Sequence, residues 1–140
     1  MTEFAGGLTC LWLGMVLAIS FLEAPLKFRA PGVTVPIGLG IGRLVFRALN
    51  GAEVVLAVLV AAAIAVADVR WPVYLCSGIT ALVLIVQLAV VRPPLNRRSE
   101  RVLAGEDAPR SRAHLAYIVL EVVKVLALLT LAGLLLAAAD

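Results

Sequence analysis

Four apolar stretches, each long enough to cross a lipid bilayer, limit the fold of this chain more than any other feature. They cover about 4–26, 36–68, 71–91 and 114–139, and one spanning helix needs about 20 mostly apolar residues. The composition agrees, because 63% hydrophobic and 15% charged residues leave too little polar surface for a soluble domain. We therefore predict a single transmembrane domain over 1–140 that folds as an all-α, integral membrane four-helix bundle.

Prolines predict where two of the helices end. Pro25 marks the end of the first span, and Pro93 with the proline after it stops the third, which leaves a basic cytoplasmic loop over 92–113. The second stretch is longer than one crossing requires. It fits either a tilted span or an interfacial helix that turns into the membrane near Gly51.

Lysine and arginine residues cluster beside the connectors that follow the first and third spans. With four crossings these connectors share one side of the membrane, whereas the other side carries only Arg70. The positive-inside rule predicts cytoplasmic connectors and outside termini (N-out/C-out). We predict a multi-pass protein of the bacterial inner membrane. No aromatic-interleaved basic domain is present, which argues against a nucleic-acid partner. The cytoplasmic basic residues are Lys27, Arg29, Arg43, Arg47, Arg92, Arg97, Arg98, Arg101, Arg110 and Arg112.

Ionisable residues lie in or beside the first, second and fourth spans. Each charge at bilayer depth costs roughly 2.5–3.5 kcal/mol, so such residues usually have partners and a purpose. At about 1.5 Å per residue, Glu23, Glu53, Gln87, Glu121 and Lys124 lie about 22–28 Å from the outer ends of their spans. This common depth predicts one polar layer in the cytoplasmic half of the bundle. The candidates for binding a solute or ion, or for handling a proton, are Glu23, Lys27, Arg43, Asn50, Glu53, Glu121 and Lys124.

Helical spacing predicts which of these side chains share a face, because residues three and four apart are neighbours on a helix. The predicted groups are Glu23 with Lys27 on the first span, Arg43, Arg47, Asn50 and Glu53 on the second, and Tyr117, Glu121 and Lys124 on the fourth. Two interpretations stay open. The charges form either a static ion-pair network that locks the helices together or a site that opens to the cytoplasm.

Small residues predict close helix packing in the second span. Gly38 and Gly42 stand at the GxxxG spacing, which lets two helix backbones approach closely. We predict that they pack against the first span or against a second subunit.

The remaining reactive residues favour neither a metal site nor an enzyme. Cys10 and Cys76 could meet as a disulfide or, with Met15, as a soft-metal site, but no CxxC or Cys/His spacing supports this. His114 is a solvated or capping residue, or a proton entrance. No Ser/His/Asp or Cys/His set is present for nucleophilic catalysis. We predict no metal, no cofactor and no enzymatic activity.

The first third of the chain carries residues that resemble a known family. They are Leu11-Trp12-Leu13-Gly14, Phe21, Ala24-Pro25, Phe28, Gly42-Arg43 and Phe46. This set resembles the small tetraspan family of transmembrane-protein-205-like and bacterial domain-of-unknown-function proteins. Members share a first span with Trp and Gly, an apolar run that ends in Pro and Phe, and an aromatic-bearing second span. The resemblance implies a four-span membrane protein of poorly defined biochemistry.

The charged layer leads to three functional hypotheses. The first is a small transporter or channel-like protein whose polar site faces the cytoplasm. The second is a structural or accessory subunit of a larger membrane complex, with the same charges as fixed ion pairs. The third is recognition of a lipid or quinone headgroup by Arg43, Glu53 and Lys124. Because four spans leave little room for a private pathway, we also predict homo-oligomers in the lipid bilayer. The solute itself is not specified.

Overall fold

The chain folds into four long helices, as a computed structural model that describes residues 1–109 and 112–140. Each helix is long and apolar enough to span a membrane, and no β-strand occurs in these two ranges. The prediction of four apolar helices is therefore confirmed. Arg110, one of the basic residues counted for the orientation, lies outside the described residues. The helices are α1 (Thr2–Arg29), α2 (Val35–Val66), α3 (Trp71–Leu103) and α4 (Arg112–Ala137).

Neighbouring helices run antiparallel. α1 packs against α2 and α4, and α3 packs against α4 and, through its C-terminal part, against α2. Gly6 of α1 faces Leu136 of α4 at one end of the bundle, while Arg43 of α2 contacts Glu100 of α3 at the other. The connectors that follow α1 and α3 therefore share an end. We call it the basic end, because most of the lysines and arginines lie there.

Local chemistry fixes the helix boundaries at the basic end. The Thr34 side chain accepts a hydrogen bond from the Ile37 backbone N–H at 3.4 Å, and Pro36 occupies the first turn of α2. Gly105 follows α3 with a φ of 89°, a left-handed conformation that glycine adopts without a Cβ clash. α2 is one unbroken helix across Gly51, so the turn predicted there as one alternative does not occur.

The predicted end of the third helix is wrong, because α3 continues through its prolines, whereas the α-helical part of α1 ends at Leu26, as predicted, before a 3-10 turn at Lys27–Arg29. A wide π-helical segment, Leu17–Glu23, precedes Pro25, and a second one, Gln87–Val91, precedes Pro93. A proline lacks the N–H for the helical hydrogen bond, and its ring crowds the carbonyl four residues earlier. The wider turn accommodates both effects without ending the helix. The loop predicted over 92–113 is accordingly shorter, since Arg92–Leu103 is helical.

A hydrophobic core fills the bundle on the side away from the basic end. All four helices contribute to it, and its central leucines on α4 are fully buried. We call this region the apolar half. It includes Ala5, Val60, Ala63, Ile64, Val73, Leu128, Leu131 and Leu135.

The outer surface is also apolar. Large side chains such as Leu44, Val66 and Leu126 are 58–70% exposed. A soluble monomer rarely exposes contiguous apolar patches of this kind, whereas lipid tails would cover them. The outward faces therefore agree with four membrane-spanning helices.

Candidate functional site

A buried polar cluster lies where the four helices meet, between the apolar half and the basic end. We call it the inner cluster, and its side chains are 0–2% exposed. Every helix contributes at least one member, so the arrangement exists only in the folded bundle. The members are Trp12 of α1, Glu53 of α2, Gln87 of α3, and Glu121 and Lys124 of α4.

The ammonium of Lys124 is the centre of the inner cluster. Its Nζ atom lies 2.5 Å from Glu53 Oε1 and 2.8 Å from Glu121 Oε1. It also donates a hydrogen bond to Gln87 Oε1 at 2.9 Å. Three oxygen atoms from three helices therefore lie within 2.9 Å of the ammonium.

Glu53 uses only one of its two carboxylate oxygens. The indole N–H of Trp12 donates to Glu53 Oε1 at 3.0 Å, on the same oxygen that faces Lys124. Glu53 Oε2 is buried and accepts no hydrogen bond within the described residues. Glu121 Oε1 is likewise buried without a hydrogen-bond donor within the described residues, although Lys124 Nζ lies 2.8 Å from it as an ion-pair partner. The Gln87 amide donates to Glu121 Oε2 at 3.4 Å.

The charges of the inner cluster do not cancel. Two carboxylates face one ammonium, so with all three groups ionised the cluster carries one net negative charge. Burying an uncompensated charge in a low-dielectric region is expensive. One proton shared between Glu53 and Glu121 is the smallest addition that makes the cluster neutral.

A cavity of about 420 Å³ lies directly beside the inner cluster, at the basic end. All four helices line it, and Glu121 belongs both to the cavity wall and to the inner cluster. The wall carries basic side chains and a set of aromatic rings. The basic ones include Lys27, Arg43, Arg92 and Arg98, and the rings are Phe21, Phe28, Phe46 and Tyr117.

Two of these cations flank a single aromatic ring. Lys27 Nζ lies 5.7 Å from the centroid of Phe46, and Arg92 Cζ lies 5.2 Å from the same centroid. Arg92 also lies 4.6 Å from the centroid of Tyr117, which itself packs edge-on against Phe46. The faces of aromatic rings attract cations, so the rings position both side chains in the wall.

The four basic side chains differ in how they are paired. Arg43 forms a close ion pair with Glu100 at 2.8 Å, and Arg98 Nε donates to a backbone carbonyl at 3.1 Å. Lys27 has only a long ion pair with Glu23, at 3.8 Å. Arg92 Nε and Nη2 are buried and donate to no acceptor within the described residues. Arg92 and Lys27 are therefore the cations best placed to meet a ligand.

Four of the five residues predicted to share one polar layer lie together, and the prediction is wrong for the fifth, Glu23. Glu53, Glu121 and Lys124 meet in the inner cluster. Glu23 and Lys27 instead form an ion pair at the cavity, nearer the basic end. Glu23 lies 11 residues after Trp12 on α1, which is about 16 Å along a helix.

The predicted stripe on α2 also divides. Asn50 is 8% exposed and lies on the inner face with Glu53. Arg43 points to the cavity rim, where it pairs with Glu100, and Arg47 is exposed. The stripe therefore supplies one charged member to the inner cluster instead of two or three.

The two glycines of the GxxxG spacing lie against the end of α1, the first of the two predicted neighbours. A Cβ atom on Gly38 would collide with the ring of Phe28, and one on Gly42 would lie 2.7 Å from Lys27 Nζ. These positions leave room for the side chains that form the cavity wall. The glycines thus shape the site as well as the helix packing.

Three residues that contribute to the geometry of the site were not predicted from the sequence: Trp12, Arg92 and Phe46. Trp12 was noted only within the family resemblance, although a tryptophan inside a span needs an acceptor for its N–H. Arg92 was assigned to a loop because prolines follow it. Phe46 carried no signal of its own, since its role depends on two cations from other helices.

Metal-binding groups are not assembled in the part of the chain that the structure describes. No group of three His, Cys, Asp or Glu side chains there could hold a metal ion. Cys10 and Cys76 are both free thiols, so the disulfide considered from the sequence does not form.

Comparison with known proteins adds no relative, because no family model, curated protein or solved structure matches the chain. The resemblance to the tetraspan family stays a prediction. The inner cluster and the cavity are therefore the features from which a function can be proposed.

Proposed function

We propose that the chain is a small multi-pass membrane protein of the transporter or channel-like class. A solute enters the cavity from the basic end, and the inner cluster beneath it binds and releases a proton. The observation that carries the proposal is the continuity of the two sites through Glu121, which belongs to both.

We assign ligand access to the basic end of the bundle. The cavity lies at the basic end, whereas fully buried leucines such as Leu128 and Leu131 fill the apolar half beyond the inner cluster. A transporter in one of its two access states has this arrangement, with a polar site near the middle and a seal on one side. Movement of α1 or α3 at the π-helical segments would open the seal, since π-helical turns within α-helices occur frequently at functional sites.

Glu53 is the residue to which we assign proton binding. Glu53 Oε2 and Glu121 Oε1 are both buried without a hydrogen-bond donor in the described residues, but only the Glu121 atom has the Lys124 ammonium beside it, at 2.8 Å. With all three groups ionised, the inner cluster also has one negative charge too many. Acidic groups in such settings carry protons in pumps and transporters. A proton on Glu53 would free Lys124 to pair with Glu121 alone.

The positive-inside rule supports an orientation in which the basic end faces the cytoplasm. The cavity would then open to the cytoplasm, in the bacterial inner membrane. An oligomer would offer more room for a pathway across the membrane than one bundle of four helices does.

One observation favours the accessory-subunit hypothesis as a second candidate. Lys124 already meets three oxygen acceptors, which is the arrangement expected of a static lock between helices. In that case the inner cluster would fix the packing and the seal would never open.

Proton flux in liposomes separates the two functions. Purified protein is reconstituted with a pH-sensitive dye inside, and an acid pulse is applied outside. We expect the wild type to admit protons faster than empty liposomes, and Glu53→Gln to return to the empty-liposome rate. Glu106→Gln is the matched control, because Glu106 is 59% exposed in an ion pair with Arg101, away from the site. Equal flux through wild type and Glu53→Gln would reject the transport proposal.

A further inference from the structure

We propose that the cavity binds an anionic amphiphile, in which a carboxylate or phosphate head is attached to an apolar body. Arg92 and Lys27 are the charge partners of the head, and the aromatic wall holds the apolar body. The proposal rests on the proposed function only in taking the cavity as the ligand site.

Arg92 presents the donor geometry that such a head requires. Its Nε and Nη2 atoms are the two that lie buried without an acceptor in the described residues. These two nitrogens lie side by side on the guanidinium, and their N–H bonds form a fork that matches two oxygens of a carboxylate or phosphate. A buried donor without an acceptor is costly, so binding an anion there removes an unfavourable state.

Lys27 lines the same cavity as Arg92. Both cations pack against Phe46, at 5.7 and 5.2 Å from its centroid, so they lie at most about 10.9 Å apart, the sum of those distances. The Lys27 side chain is only 10% exposed, and its ion pair with Glu23 is long at 3.8 Å. A ligand that fills the cavity beside Arg92 would therefore have a second cation, from α1, in the same wall.

The charge balance of the cavity wall favours an anion. Four basic side chains line it, Lys27, Arg43, Arg92 and Arg98, against the one carboxylate of Glu121. Glu23 and Glu100, which are not in the lining, pair with Lys27 and Arg43, and Glu121 pairs with Lys124 of the inner cluster. Arg92 and Arg98 therefore have no carboxylate in an ion pair within the described residues, and an anionic head would supply one.

The size and lining of the cavity favour an amphiphile over an inorganic ion. Its volume of about 420 Å³ lies in the range of sites for small organic ligands, roughly 300–1,000 Å³. Phe21, Phe28, Leu39 and Ile118 contribute apolar surface to the wall. An inorganic anion would fill only the part beside Arg92 and leave this apolar surface without a partner.

Native mass spectrometry of the full chain from mild detergent tests the proposal. Four probes are compared: decanoate, its uncharged analogue decanol, the lipid phosphatidylglycerol and inorganic phosphate. We expect decanoate or phosphatidylglycerol to bind as a single adduct, and decanol and phosphate to bind at least tenfold more weakly. Preference for phosphatidylglycerol would identify a membrane lipid as the source of the head, and preference for decanoate a soluble acid.

Variants show whether the adduct occupies the cavity. Arg92→Gln should weaken binding about tenfold or more, because a bidentate charge-assisted contact is lost. Lys27→Gln should weaken it as well, which keeps the test decisive if the Arg92 variant does not fold. Arg97→Gln is the control, since Arg97 is exposed and does not line the cavity. The proposal fails if no probe binds, if decanol binds as well as decanoate, or if both variants bind like the control.

The outcome is separable from that of the flux experiment. Binding lost in Arg92→Gln together with proton flux that ignores Glu53→Gln would keep the ligand site and reject transport. Glu53-dependent flux without any adduct would keep transport and reject this ligand class.

Discussion

Removing the ammonium of Lys124 should be among the most destabilising single changes in this protein. In Lys124→Met the side chain matches lysine as far as Cε and lacks only the ammonium, so the carboxylates of Glu53 and Glu121 stay buried without their cation. The two oxygens lie 2.5 and 2.8 Å from Nζ, so they are at most about 5.3 Å apart, the sum of those distances. At an effective dielectric constant of about 20 their repulsion is about 3 kcal/mol. Breaking buried ion pairs by removing one partner costs about 3–5 kcal/mol, which agrees.

The free energy of unfolding can be measured by titrating the protein from mild detergent into SDS. Tryptophan fluorescence reports the transition, because Trp12 donates a hydrogen bond within the inner cluster. We expect Lys124→Met to lose about 3–5 kcal/mol. The control Arg101→Met removes an exposed ion pair, with side chains 61% and 59% exposed, and should lose at most about 1 kcal/mol.

Neutralising the carboxylates as well should restore stability. The triple variant Lys124→Met, Glu53→Gln and Glu121→Gln carries no charge in the inner cluster, and replacing a buried ion pair by neutral groups is often nearly neutral. We expect it to recover most of the loss. A Lys124→Met protein as stable as the Arg101 control would refute the electrostatic account, and so would a triple variant as unstable as the single one.

Two further predictions concern the neighbours of the site. Trp12→Phe removes the N–H donor to Glu53 and should lower the free energy of unfolding by about 1.5–3 kcal/mol, measured by circular dichroism in the same titration. The control Trp71→Phe, at a residue that is 73% exposed, should lower it far less. Equal losses of stability in the two variants would contradict the hydrogen bond. Gly38→Ala would drive a methyl group into the Phe28 ring and should cost about 1–3 kcal/mol. In the control Gly40→Ala, the nearest contact of the new methyl group would be Leu103 at 3.8 Å, so the variant should gain about 0.5–1 kcal/mol of stability from helix propensity. A Gly38→Ala protein as stable as Gly40→Ala would reject the close approach of the Phe28 ring to Gly38.

Hydropathy was sufficient to find the four helices, because backbone satisfaction in lipid leaves few alternatives to a long apolar helix. The end of the third span was predicted wrongly from its prolines. Pro25 and Pro93 each follow a π-helical segment, which lets the helix continue. No local sequence rule distinguishes that outcome from a stop. Arg92 was therefore not predicted as a site residue, because it lies in the part of α3 that was predicted to be a loop.

The inner cluster was only partly predictable for a geometric reason. Residues at steps of four, three and three do not stay on one line, because each residue turns the helix by about 100°. Arg47 and Glu53 therefore point about 120° apart, so Arg47 is exposed while Glu53 is buried. The common depth of Glu53, Glu121 and Lys124, and the shared face of the last two, were predicted from the sequence. The donors from Trp12 and Gln87 depend on helix rotation, which the sequence does not contain.

The central claim is that the cavity belongs to a pathway that opens alternately to the two sides. Two-sided thiol labelling tests it in a background with Cys10 and Cys76 replaced by serine. A membrane-impermeant reagent is applied to sealed vesicles from either side, against Ser20→Cys in the cavity wall and Leu131→Cys in the apolar half. We predict that Ser20→Cys reacts from the basic side. Leu131→Cys should react only from the opposite side, at about a tenth of that rate or less, because the second state is a minor one. A reactive Ser20→Cys with a Leu131→Cys that stays unlabelled from both sides would contradict the claim and leave a static bundle.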